Sequence, residues 1–121
     1  MQLKASPKVL MTIVLASAAL TLTAVAAEAD LAAGMADSAA NPYAWAYQPR
    51  TIQITTGDTV TWTNNGVAPH SVTSSNGAGF DSGDMQPGQS FQWTFGQAGE
   101  YPFYCTLHPW MTGTVTVADA S

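Results

Sequence analysis

Three side chains that bind soft metals recur at three-residue intervals in one short stretch: Cys105, His108 and Met111, within Cys105-Thr106-Leu107-His108-Pro109-Trp110-Met111. A thiolate, an imidazole and a thioether together favour copper over hard cations. The set is completed only if the fold returns His70, the one other histidine, from Ala68-Pro69-His70-Ser71. Two histidines, a cysteinate and a weak axial methionine form the trigonal arrangement of a blue-copper electron-transfer centre. Taken singly, each residue has an ordinary explanation, since lone cysteines and methionines are common core fillers. Their joint occurrence carries the weight: the sole cysteine stands three residues from one of two histidines, directly after the aromatic run Tyr101-Pro102-Phe103-Tyr104. Zinc would fit the same donors and supply no redox chemistry.

Positioning such a set falls to short strands. Ile52 and Ile54 alternate with polar residues, as do Val60 and Trp62, then Phe91, Trp93 and Phe95, then Val115 and Val117. This is the period of a half-buried strand. Turn residues separate the runs: Thr56-Gly57-Asp58, Asn64-Asn65-Gly66, and an irregular stretch from Ser74 to Gly88 rich in Gly and Asp. Tyr43, Trp45 and Tyr47 alternate before Pro49 and read as an edge strand or an extended arm. The pattern predicts an all-β, antiparallel sandwich or barrel of six to eight strands. In the strand before the cluster, Tyr101, Phe103 and Cys105 share one face. If Phe103 enters the core, the Cys105 sulfur points inward at the end of the sandwich, and the Pro109 loop folds His108 and Met111 over it.

The chain has 121 residues, room for one small domain. Lys4 and Lys8 precede an uncharged stretch from Val9 to Ala27, and small residues follow it. Residues 1–29 therefore read as an N-terminal hydrophobic helix that is either a cleaved export signal or, through residues 9–27, a retained membrane anchor. The domain behind it is expected in the periplasm or another extracytoplasmic compartment. Residues 30–42, Ala-rich with no aromatic before Tyr43, read as a flexible linker with little function, and residues 43–119 as the folded domain. Beyond Ala29 a single arginine, Arg50, faces seven carboxylates, which argues against nucleic acid as a partner. Asp81 and Asp84 serve either as turn formers or as docking charges for a basic partner. A lone cysteine in an exported chain makes no internal disulfide, and metal ligation would protect it.

Several of these segments resemble a known family. Gly57-Asp58-Thr59-Val60-Thr61-Trp62, Pro69-His70-Ser71-Val72, Gly99-Glu100-Tyr101-Pro102-Phe103-Tyr104-Cys105, His108-Pro109-Trp110-Met111 and Gly113-Thr114-Val115-Thr116-Val117 are similar to the cupredoxins, small blue-copper proteins of the plastocyanin and amicyanin type. The likeness runs from about Tyr43 to Ala118, and the short loop, with two residues between Cys and His and two between His and Met, is most similar to amicyanin. The resemblance implies a Greek-key β-sandwich with one type 1 copper at one end, His70, Cys105 and His108 in the plane and Met111 axial. It implies a monomeric one-electron carrier, not an enzyme, serving a redox donor and acceptor such as a c-type cytochrome or a membrane oxidoreductase. Docking would centre on the exposed edge of His108 and on Trp110, although Trp110 equally well packs the loop onto the domain. One departure is Ser71, where many relatives have asparagine; a serine there is expected to reach the Cys105 loop through Thr106. A copper delivery or sequestration protein is the alternative reading, and the absence of a His-rich or Met-rich tract disfavours it. Multicopper enzymes need more histidines than the two present here.

Overall fold

The alternating runs do become strands. In the computed structural model, which describes residues 28–120, there are eight: β1 (Asp30–Ala36), β2 (Ala46–Gln48), β3 (Thr51–Thr55), β4 (Thr59–Asn64), β5 (Thr73–Ser74), β6 (Ser90–Thr94), β7 (Gly99–Tyr104) and β8 (Thr112–Ala118). They form two four-stranded sheets ordered β2-β1-β4-β6 and β3-β8-β7-β5. Every connection from β2 to β7 crosses between the sheets, the connectivity of a Greek-key sandwich. Two pairings are parallel, β1 with β4 and β3 with β8, where alternation alone had implied antiparallel neighbours throughout. Alternation records which face of a strand is buried and carries no information on its neighbour's direction. The export or anchor segment lies outside the described residues except for Glu28 and Ala29. No helix among the described residues is long and apolar enough to cross a membrane.

In β4 the two faces divide cleanly. Val60, Trp62 and Asn64 are buried, while the threonines between them form a hydroxyl ladder on the outer face. Thr59 bonds Thr94 at 2.7 Å, Thr61 donates to Asp30 at 3.0 Å, and Thr63 bonds Ser90 at 2.7 Å. Between the sheets, Phe103 of β7 meets Trp62 and Tyr47 edge-on, at centroid distances of 5.3 and 4.8 Å. Burying a side chain of this kind contributes about 1.5–3 kcal/mol. Because Phe103 points into this core, strand parity turns Cys105 inward one step beyond the end of β7, as expected.

The flexible linker expected over residues 30–42 is not there. Asp30–Ala36 is β1, an interior strand hydrogen-bonded to β2 on one side and β4 on the other, with Ala33, Gly34 and Met35 buried. Alanine has little strand propensity and the segment has no aromatic, so its composition resembles a tether. At Gly34 of this strand the neighbours come close: a Cβ there would lie 2.4 Å from Asn65 Nδ2 and 3.3 Å from Thr63 O. After it, Asn41 caps a single 3-10 turn at Pro42–Ala44, and β2 forms the edge of the sheet, so both readings of the Tyr43 to Tyr47 stretch are partly realised.

Residues 74–88 stay largely irregular but pair back onto the segment before them. His70 and Met85 exchange backbone bonds, N–H to O at 3.0 Å and 2.7 Å, and Ser74 N–H donates to Phe80 O at 2.9 Å. From His70 to Ser74, strand structure is limited to Thr73–Ser74 and an isolated bridge at His70. Met85, unassigned from the sequence, is a core residue. Asp81 accepts from the Thr73 hydroxyl at 3.1 Å and Gly83 N–H at 2.9 Å, which fits its turn-forming role.

Candidate metal centre

The cluster assembles from two segments brought together at one end of the sandwich. Held by its bridge to Met85, His70 projects Nδ1 to 4.0 Å from Cys105 Sγ, and both residues are fully buried. From the loop, His108 Nδ1 approaches the same sulfur at 3.5 Å. The three donor atoms lie within 4.8 Å of one another. The loop is closed by its own backbone: Cys105 N–H donates to Met111 O at 3.1 Å, His108 N–H to Cys105 O at 3.3 Å, and Met111 N–H to His108 O at 2.8 Å. Met111 is buried at the loop's end, beside Thr112 where β8 begins. All four residues singled out in the sequence therefore belong to this end of the fold.

Ser71 ties the two segments together. Its N–H donates to Cys105 Sγ at 3.3 Å, while its hydroxyl accepts from Thr106 N–H at 2.9 Å and bonds Thr106 Oγ1 at 3.1 Å. The expected contact to Thr106 is present, and it is double. Beneath it, the buried Tyr47 hydroxyl donates to Ser71 O. Burial, then the Cys105 thiolate, pushes the Tyr47 phenol far above its ordinary range, so it stays a neutral donor.

The sequence reading missed two residues. Asp37, in the segment read as a tether, is buried behind His70 with its Oδ2 2.9 Å from His70 Nε2. It also accepts from Val67 N–H at 3.0 Å and Ala68 N–H at 2.8 Å. Burial raises its carboxyl pKa, but the bonds from Ala68, His70 and Val67 together outweigh that and hold it below the usual range. An ionised carboxylate only accepts, so His70 Nε2 carries a proton, and Nδ1 is the nitrogen that faces Cys105. Gly66 makes room, since a Cβ there would lie 2.2 Å from Asp37 Oδ2. A single carboxylate between Met35-Ala36 and Ser38 is the only sequence trace of this, and it does not reveal its partner.

The second missed residue is Trp45. Its ring meets His108 at 5.1 Å and His70 at 6.0 Å, in a T-shaped contact with each imidazole. Its indole N–H is fixed to Ala39 O at 2.9 Å. On the other side Trp110 lies 5.5 Å from His108, donates its indole N–H to Pro42 O at 2.7 Å, and packs on Tyr43 at 4.7 Å. Trp110 thus packs the loop onto the 3-10 turn while remaining partly exposed, so both of its expected roles are open to it. His108 itself is half-buried. Burial, then the neighbouring His70, lowers its pKa, which favours the neutral, metal-ready imidazole.

Two imidazole nitrogens and a cysteine sulfur, one imidazole half-buried and the other groups buried, with a buried methionine on the same loop, fit a soft, borderline metal far better than a hard cation. A β-sandwich closed at one end by such a cluster defines a class of copper-binding domains. The family model for copper binding proteins of the plastocyanin/azurin family matches residues 33–118, and the chain belongs to that family, with copper as its cofactor. The matched range includes most of β1, in agreement with its place inside the sheet. Among relatives, amicyanin of Paracoccus denitrificans is 37% identical over 75 residues, 59% of this chain and 57% of that protein, so the match spans little more than half of it. Plastocyanin of Prochlorothrix hollandica is 35% identical over 107 residues, 80% of this chain and 82% of that one. Among solved structures, a purple cupredoxin from Nitrosopumilus maritimus superposes with a TM-score of 0.66 at 32% identity, covering 73% of this chain and 99% of its own. A mutant amicyanin in its reduced state gives 0.62 at 32% identity, covering 72% and 80% respectively.

Proposed function

We propose that this protein is a type 1 copper electron carrier in which His70, Cys105, His108 and Met111 would hold the metal, with no enzymatic activity of its own. The observation that carries the reading is the convergence of three donor atoms within 4.8 Å from segments 35 positions apart. Copper bound there supplies a one-electron couple between Cu(I) and Cu(II). The chain's part is to keep the donors in place through both states. His70 is held by Asp37 and Met85, Cys105 by the Ser71 N–H, and the loop by its own three backbone bonds. A rigid, dry set of donors lowers the rearrangement that accompanies electron transfer. Full burial of His70 and Cys105 supports metal retention and disfavours the delivery reading.

Electrons would enter and leave through His108, the donor residue with partial exposure, with Leu107 and Trp110 providing an apolar surface for a redox partner such as a c-type cytochrome or membrane oxidoreductase. The excess of carboxylates favours a basic partner and argues against nucleic acid. The protein acts as a monomer outside the cytoplasm, delivered there by residues 1–29 as a cleaved signal or held at the membrane by them.

Absorption and electron paramagnetic resonance spectra of the Cu(II)-loaded chain test this beside Cys105→Ala. An intense thiolate-to-copper band with narrow hyperfine splitting is expected, and it disappears in the variant. A pale spectrum indifferent to the loss of Cys105 would overturn the assignment.

A further inference from the structure

We infer that Asp37 is a positioning residue that selects which nitrogen of His70 faces the metal and biases the site toward Cu(II), so that the residue directly after β1 tunes the reduction potential. The inference rests on the ligand assignment proposed above and adds a determinant that lies outside the ligand loop.

Three observations carry it. The carboxylate is buried against a fully buried imidazole, with Oδ2 2.9 Å from Nε2. It is immobilised independently of His70 by the N–H groups of Val67 and Ala68, at 3.0 and 2.8 Å, so it is a fixed template and not a side chain that follows the ring. Finally, the space it occupies is kept open by Gly66, where any Cβ would collide with the carboxylate. A carboxylate that accepts from the far nitrogen of a metal-bound histidine fixes the ring's tautomer and orientation and makes the near nitrogen a stronger donor. Its uncancelled negative charge, close to the metal position and poorly screened by solvent, also stabilises the more positive oxidation state. Both effects favour Cu(II) over Cu(I). His108 has no carboxylate hydrogen-bond partner among the described residues, so the control of tautomer and orientation acts on one histidine only.

Asp37→Asn is the informative variant, because it keeps an acceptor for His70 and removes the charge; Asp37→Ala removes both. Loss of such a partner costs roughly 10–100-fold in metal affinity. For Asp37→Asn, a fall of about tenfold in the Cu(II)/Cu(I) affinity ratio is expected, equivalent to a reduction potential raised by about 59 mV for one electron. The thiolate band should persist. Independently of any metal, long-range ¹⁵N–¹H spectra of the metal-free wild-type chain, taken where imidazoles are neutral, should show the His70 proton on Nε2, and Asp37→Ala should shift it toward Nδ1. An unchanged potential in Asp37→Asn with the band intact, or a metal-free His70 protonated on Nδ1 in the wild type, would overturn the inference. Absence of the thiolate band from the wild type would instead overturn the ligand assignment, and the tautomer measurement would still judge Asp37.

Discussion

The two histidines, 5.0 Å apart between ring centroids, are held in opposite ways. His70 is fully buried, bonded through its backbone to Met85 and through its ring to Asp37, and every group that holds it comes from a distant part of the chain. His108 sits on a loop that closes on itself, half-exposed, with aromatic rings on two sides and no side-chain hydrogen bond except toward Cys105. One histidine is built into the scaffold and the other is built into the surface. The difference teaches where rigidity and access are separated: the buried ring is fixed by the scaffold, and the loop ring is the one that reaches the surface.

Removing each ring in turn should break the symmetry of the pair most visibly. In the metal-free protein, His70→Ala leaves a cavity and a buried carboxylate without one of its donors, for a destabilisation of about 3 kcal/mol or more. His108→Ala, half-exposed and without a buried partner, should cost less than about 1 kcal/mol. Urea denaturation of the two metal-free variants measures this, and equal midpoints would mean that the two rings are equally embedded.

Trp45→Ala sharpens the comparison from the surface side. Removing the indole packed on both imidazoles should speed electron exchange with a small inorganic oxidant several-fold and leave the thiolate band in place, at a stability cost of roughly 1–2 kcal/mol. Stopped-flow oxidation of the reduced protein checks it. A rate unchanged from wild type would show that Trp45 does not screen His108.

The smallest effect concerns the far end of β1, the strand that delivers Asp37 to His70. Asp58 accepts from Ala29 N–H at 2.8 Å and Thr55 N–H at 3.0 Å, and these bonds, Thr55 first, hold its carboxyl below the ordinary range. A depressed folded-state pKa adds stability that is fully present above the unfolded value of about 3.9 and is lost as pH falls through the folded one. The urea midpoint should therefore drop on acidification below about pH 4, and Asp58→Asn should flatten that part of the curve. An unaltered acid slope would remove Asp58 from the account.

Much of the site was legible because its information is local. Cys105, His108 and Met111 lie on one loop, and His70 was the only histidine left to join them. The strand alternation that turns Phe103 and Cys105 inward is likewise a property of consecutive residues. Asp37, Trp45 and β1 were not legible, because each takes its role from a partner far away in the chain. An alanine-rich segment shows no alternation of large and small side chains, and its strand character comes from the bonds it makes to β2 and β4. The same holds for the parallel pairings, whose direction no single strand encodes.

By itself, then, the chain's order of residues determined the donor set, the all-β class and the inward direction of the cysteine, since donor chemistry and side-chain parity depend only on residue type and spacing. Tertiary structure alone decided that the apparent tether is an interior strand, that its last carboxylate faces His70, and that a tryptophan packs on both imidazoles. Those relations depend on packing between segments tens of residues apart, and a hydrogen bond or ring contact exists only once the chain has closed to bring its two ends together.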